Sequence, residues 1–191
     1  MKNIVKIICV ILIVLLLVVG VFIIEKNLLI KKVAEFSISK YEKCVLAENR
    51  YNSNDELYNS LSVYKLGEKW HYIINDKDVY FNETDTNMTI IEDGTKSVQE
   101  KFDMNAGPQT YSEYLNWDSK NIFEKISYSF SVSVKEDSYE GKNVVIVTDK
   151  NCTWYLDSEK YFPVVLENDM GKCIFEFSEV VAGADVNFEE E

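Results

Sequence analysis

The residues of this chain that could move a proton or hold a metal are few and poorly grouped. Its one His, His71, lies between Trp70 and Tyr72. Acid–base work by an imidazole needs an oriented partner and a nucleophile within reach. No G-x-S-x-G or comparable frame occurs, so His71 reads as a structural or surface residue. Asp76-x-Asp78 opens like a calcium loop, but the loop's sixth and twelfth positions hold Phe81 and Asn87 where Gly and Glu are needed. These acids read as turn residues. Among 32 Asp and Glu, no spacing singles out two carboxylates for glycoside hydrolysis. Cys9, Cys44, Cys152 and Cys173 do not have zinc-ligand spacing. The expectation is a non-enzyme without cofactor or metal.

The charge is unevenly placed. The 191 residues carry 20 Lys and Arg against 32 acids, for a net charge of -12. Residues 1–24 hold two Lys and no acid, so the remainder carries -14. A body this acidic is a poor electrostatic partner for nucleic acid or an anionic lipid surface. At 47% hydrophobic and 13% aromatic residues, it is too apolar to be disordered.

Residues 7–24 are eighteen consecutive uncharged residues. As a helix they rise about 27 Å, close to a thin hydrocarbon core. Lys2 and Lys6 precede them, and no A-x-A-like cleavage site follows. The segment reads as a transmembrane signal anchor behind a cytoplasmic n-region, residues 1–6. The rival reading is a long signal peptide cut after Gly20. Lys26, Lys31 and Lys32, offset by Glu25 and Glu35, bring the positive-inside comparison near a tie. The basic start and acidic body then place the C-terminal domain outside, on a single-pass protein of the cell membrane.

Residues 25–40 carry an apolar stripe at helical spacing and read as an amphipathic linker or first helix. From Tyr41 the pattern changes to short strands separated by turn residues. Candidates are 41–50, 57–66, 69–75, 78–83, 87–92, 97–103, 127–135, 142–149, 151–157, 162–168 and 172–180. One helix is expected at 118–126, capped by Asp118. This is a mainly β protein with few helices. Its simplest arrangement is a strongly curved antiparallel sheet with helices on the concave side.

Register arithmetic on the last three strands pairs Leu156 near Pro163 and puts Glu167 opposite both Cys152 and Cys173. The two thiols would then stand about 9–10 Å apart across the intervening strand, too far to bond. They read as free, mostly buried fillers, although Cys44 could reach one of them. The same register sets Trp154, Val165 and Phe175 side by side, with Leu156, Pro163 and Phe177 beside them. That apolar row is either ordinary core or the wall of a cavity. Tyr72, Tyr80, Phe81, Phe102, Tyr111, Tyr114 and Trp117 form an aromatic cluster in the middle third, with 107–117 as a loop leading into the helix.

These residues resemble a known family. Cys152-Thr-Trp-Tyr-Leu-Asp-Ser-Glu-Lys-Tyr-Phe-Pro-Val-Val-Leu-Glu167 looks like the W-x-D-x-x-T/S-G-x-P-x-x-x-E hairpin of LolA/LolB-like proteins, the outer-membrane lipoprotein-sorting fold. Trp154 and Pro163 fall in place, Asp157 sits one residue late, and Phe162 replaces the Gly before Pro. Val63 to Tyr72, Ile90 to Lys96, and Cys173 to Val181 with Asp185 to Phe188 resemble other strands of that family, so the likeness runs over 41–188. It suggests a LolA-like β domain over 41–191 of the Gram-positive, membrane-anchored type. It implies an unclosed β-barrel of about eleven strands with a helical lid and an interior that takes acyl chains. Trp70, Tyr72, Phe102, Trp117, Trp154, Leu156, Val165, Phe175 and Phe177 would line it. The carriers' acyl-site arginine has no obvious match, Arg50 being the only Arg.

Two functions follow as expectations. One is a membrane-tethered binder of lipid or another hydrophobic ligand. The other is a non-enzymatic cell-envelope interaction or sensor module whose partner is an envelope protein. A hydrolase is the least supported.

Overall fold

Alternating apolar and polar side chains from Lys43 onward build strands that bury one face, as a period of two requires. The computed structural model describes residues 2–75, 77–101 and 110–179. A single helix, α1, runs from Lys2 to Val33, and a short 3-10 turn follows at Ile38–Lys40. Six strands come next: β1 (Lys43–Asn52), β2 (Leu57–Leu66), β3 (Lys69–Ile74), β4 (Lys77–Asn82), β5 (Asn87–Glu92) and β6 (Thr95–Glu100). A helical segment holds α2 (Tyr111–Leu115), a 3-10 turn (Trp117–Ser119) and α3 (Ile122–Ser131). Five strands finish the sheet: β7 (Ser133–Tyr139), β8 (Lys142–Thr148), β9 (Cys152–Asp157), β10 (Pro163–Asn168) and β11 (Gly171–Glu179).

All eleven form one antiparallel sheet in the order β6-β5-β4-β3-β2-β1-β11-β10-β9-β8-β7. Two meanders are joined where β1 pairs with β11, from Cys44–Glu179 to Asn52–Gly171. The sheet is unclosed. Its edges, β6 and β7, carry charged residues such as Lys96, Glu100, Lys135 and Asp137, which discourage edge-to-edge pairing. Tight turns keep the register. Glu140-Gly141, with φ of 50° and 78°, is a two-residue turn of the kind that matches strand twist.

Two departures from the sequence reading concern the helical segment and β10. Residues 127–131, expected as strand, continue α3. The cap is Asn121, not Asp118: Asn121 Oδ1 accepts from the N–H of Phe123 and Glu124, and Glu124 Oε2 accepts from Asn121 N–H. This reciprocal pair satisfies donors that a helix start leaves free. Pro163 pairs with Leu156 as expected, but the register then shifts by one, and Val165 pairs with Tyr155 and Leu166 with Trp154. Glu167 therefore faces Thr153 and not Cys152; on the other side Asn168 pairs with Gly171, one residue earlier than expected, so Glu167 faces Lys172 and not Cys173. All four cysteines are free thiols.

One sheet face is the inner one. Leu46, Val63, Tyr72, Val79 and Ile90 follow one another across β1 to β5, and Phe177 adjoins Leu46 from β11. The last turns of α1 and the chain just after it lie on this face. Ile30, Val33, Phe36 and Ile38 are buried with Tyr111, Leu115, Trp117, Trp154 and Phe175 in the largest cluster. Phe36 meets Phe177 edge-on at 5.2 Å between ring centroids. Residues 25–33 are thus the first helix of the domain, continuous with the apolar run. Leu61, Val63, Tyr72, Val79 and Met88 form a second cluster. Buried Lys65 ties the chain after α1 to β2. Its ammonium donates to Tyr41 O at 2.7 Å and lies 5.5 Å from the Trp70 ring centre, partners that compensate its loss of water.

At Gly171, opposite Asn52, β11 starts against the backbone of β1. The φ of Gly171 is 143°, and a Cβ there would lie 2.0 Å from the Tyr51 carbonyl oxygen. Gly171→Ala should cost at least about 3 kcal/mol, because the clash is with backbone. Gly94→Ala, with φ 71° and open space, should cost about 1 kcal/mol. Urea unfolding of the full chain in detergent, followed by Trp fluorescence, measures both.

Candidate functional site

The helical cover stops short of the ends of β9 and β10. Beside α2 lies a cavity of ≈ 350 Å³ lined by Tyr114, Cys152, Trp154, Leu166 and Met170 together with polar Lys150, Asn151, Asn168 and Asp169. Trp154 is buried against Phe175, Tyr111 and Tyr114. Its indole N–H has no hydrogen-bond partner among the described residues. A buried donor without an acceptor is costly, and this one belongs to a cavity wall. Met170 is 77% exposed at the turn between β10 and β11, so the cavity opens beside an apolar side chain.

A carboxylate sets the position of α2 above this cavity. Tyr114 hydroxyl donates to Asp149 Oδ2 at 2.6 Å, and Asp149 Oδ1 accepts from the N–H of Asn151 and Cys152 at 2.8 and 3.1 Å. Burial pushes the Asp149 carboxyl up, but these donors outweigh it and hold it below its ordinary range. Tyr111 and Tyr128 hydroxyls, 3.3 Å apart, link α2 to α3. Burial pushes the Cys44 and Cys173 thiols up to about 11, which leaves both poor nucleophiles at neutral pH.

A second cavity, ≈ 430 Å³, lies at the ends of β3 to β5. Trp70, Phe81, Met88 and Val98 line it with Lys69, Tyr80, Asn82 and Asp85 among its polar residues. On the inner face between the two clusters sits an ion pair. Glu48, 1% exposed, accepts from Arg50 Nε at 2.5 Å, while its other oxygen has no partner among the described residues. His71 lies on the opposite face. It is stacked between Tyr64 and Tyr80, with Nε2 2.7 Å from Asp78 Oδ1. That is a packed imidazole bound to Asp78, which lies within β4 and not in a turn as expected; Asp76 lies outside the described residues.

The residues expected to line a ligand site are distributed as follows. Trp154 forms a wall of the first cavity and Trp70 a wall of the second. Leu156, Phe175, Phe177 and Trp117 belong to the packed cluster beneath α1 and α2, and Tyr72 to the second cluster. Val165 lies on the other side of the sheet with Val144, Ile146 and Val164. The register shift at Pro163 moves it there, and Leu166 takes its place beside Trp154. Phe102 lies outside the described residues. Cys152, Leu166 and Met170 at the cavity, and the Glu48–Arg50 pair, are not among the residues expected to line a site. Residues 163–166 are apolar and buried on both faces, so alternation carries no sign of the shift.

Two outcomes follow. Arg50→Met strands a buried carboxylate and should cost about 2–3 kcal/mol, the lower end for a partly exposed partner. Adding Glu48→Leu should recover most of that loss, and a double-mutant cycle in urea measures the coupling. The depressed Asp149 group gives stability that is present above the unfolded carboxyl value, about 3.9. That stability is lost as pH falls through the folded value. Tyr114→Phe should therefore flatten the acid limb of a melting-temperature profile below about pH 4.

No family model and no curated protein matches this sequence. Among solved structures, a LolA superfamily protein from Nitrosomonas europaea is similar at a TM-score of 0.33 and 7% identity, over 78% of this chain and 89% of that one. A DUF1329 family protein from Desulfovibrio piger is similar at a TM-score of 0.27 and 13% identity, over 87% of this chain and 95% of that one. Neither likeness is close enough to carry a functional argument.

Proposed function

We propose that this chain is a membrane-anchored, non-enzymatic binder that holds an apolar ligand, such as a lipid acyl chain, against the inner face of its sheet outside the cell membrane. The observation that carries the reading is the cavity between α2 and β9–β10. Its ≈ 350 Å³ falls in the range of small-ligand sites. The wall sets Trp154, Leu166, Cys152 and Met170 beside polar Tyr114, Lys150, Asn151, Asn168 and Asp169. That combination suits an alkyl chain carrying a polar head. The anchor is α1, which has an uncharged stretch of mean hydropathy 3.8 and is long enough to cross a membrane. No A-x-A-like cleavage site follows the run, which favours its retention.

Native mass spectrometry of a chain begun at Glu25, made in bacteria, should show a co-purified lipid adduct. Leu166→Trp, which fills the cavity, should remove the adduct and the uptake of a fluorescent fatty acid while leaving far-UV circular dichroism unchanged. Absence of both adduct and uptake in the unmutated chain would overturn the reading.

A further inference from the structure

α3 is amphipathic in the unexpected sense. A helix on a domain surface normally turns its apolar side to the core. Here Ser129 is buried, its hydroxyl donating to Lys125 O, while Phe123 is 80% and Phe130 65% exposed. They stand seven residues apart, two turns along one side, with Ile122 (64% exposed) beside them. Ile126 and Tyr128 are half-buried on the packed side, Tyr128 against the core, which leaves the Ile122, Phe123 and Phe130 side without a partner among the described residues.

Its position says what that partner is. α3 packs against α1. The Lys26 ammonium donates to the carbonyl of Val132, the residue that ends α3. On α1 the half-buried stripe is Gly20, Ile23 and Asn27, leading to buried Ile30 and Val33, while Val21, Phe22 and Ile24 remain exposed. The domain thus reaches α1 within the uncharged run, not beyond it. Were the bilayer to end below that contact, residues 7–19 alone would have to span it. Thirteen residues rise about 20 Å, short of the ~30 Å hydrocarbon core. The bilayer must extend to the level of Phe22–Ile24, where the end of α3 lies. Charge agrees: α3 carries one Glu and one Lys, and is neutral on a body of -14.

We propose that the Phe123–Phe130 side of α3 is embedded in the interfacial layer of the bilayer that α1 crosses, so that the domain lies against the membrane surface. This rests on α1 being a retained anchor. The full chain in nanodiscs of phosphatidylcholine and phosphatidylglycerol tests it with an environment-sensitive fluorophore. One sample carries the label at Cys9, the only exposed thiol. A second carries it at residue 123 of Cys9→Ala/Phe123→Cys, and a third at residue 138 of Cys9→Ala/Ser138→Cys, on edge strand β7. The expected result is strong quenching at Cys9 by nitroxides in the upper acyl chain, since Cys9 stands about 10 Å from the middle of the 7–24 run. Residue 123 should show blue-shifted emission quenched by nitroxides near the headgroup, and residue 138 neither effect. A water-like, unquenched label at residue 123 with Cys9 still quenched would overturn the proposal alone. Loss of quenching at Cys9 as well would overturn the anchor reading beneath it.

Discussion

Pairing of β1 with β11 brings together two meanders that would otherwise be separate sheets of six and five strands. Neither would be wide enough to surround a helix. Joined, they offer one continuous apolar inner face on which Ile30, Val33 and Phe36 can be buried from both sides. The close approach at Gly171 and the ring contacts of Phe36 with Phe177 and Phe162 follow from that pairing. So does the meeting of Trp154 with Phe175, since β10 and β9 reach the centre only through β11.

Filling is uneven across this face, and the unevenness decides what the domain can do. Where α1 and α2 lie, large side chains interlock and leave little room. At the strand ends past α2 the cover stops, and Trp154, Leu166 and Met170 share the wall of the gap with polar side chains. Glu48 and Arg50 complicate the picture. A buried ion pair is seldom the most stable choice for such a position, and here it leaves one oxygen unsatisfied. The pair holds polarity in the middle of a greasy surface and divides it into two regions.

The sheet was legible in the sequence because its turns are. Leu66-Gly67-Glu68, Asp93-Gly94 and Glu140-Gly141 mark strand ends, and β2 and β5 occupy the residues expected of them. The helical segment was half legible. Ser127 to Val132 alternates aromatic and small residues as a strand would, yet Asn121 and Glu124 stood at capping-box spacing and give the correct start. The slip at Pro163 was not legible, since a strand buried on both faces has no polar positions to betray its phase. Nor was the buried Glu48. Its burial comes from Leu61 and Phe175 on the flanking strands, which only the three-dimensional pairing brings to it.

The unbroken helix from Lys2 to Val33 carries a consequence for encounter. Its 32 residues make a rod of about 48 Å, with one end in the core of the domain and no loop between. Were that rod the retained anchor proposed above, the domain would not tumble, and its search for anything dissolved in the membrane would become lateral diffusion in two dimensions. The rotational freedom that a soluble carrier surrenders at each capture would be given up once, at insertion. A lipid in the same leaflet would meet the domain at the high effective concentration of a tethered partner. Weak intrinsic affinity for a single lipid would then be enough to keep the cavity occupied.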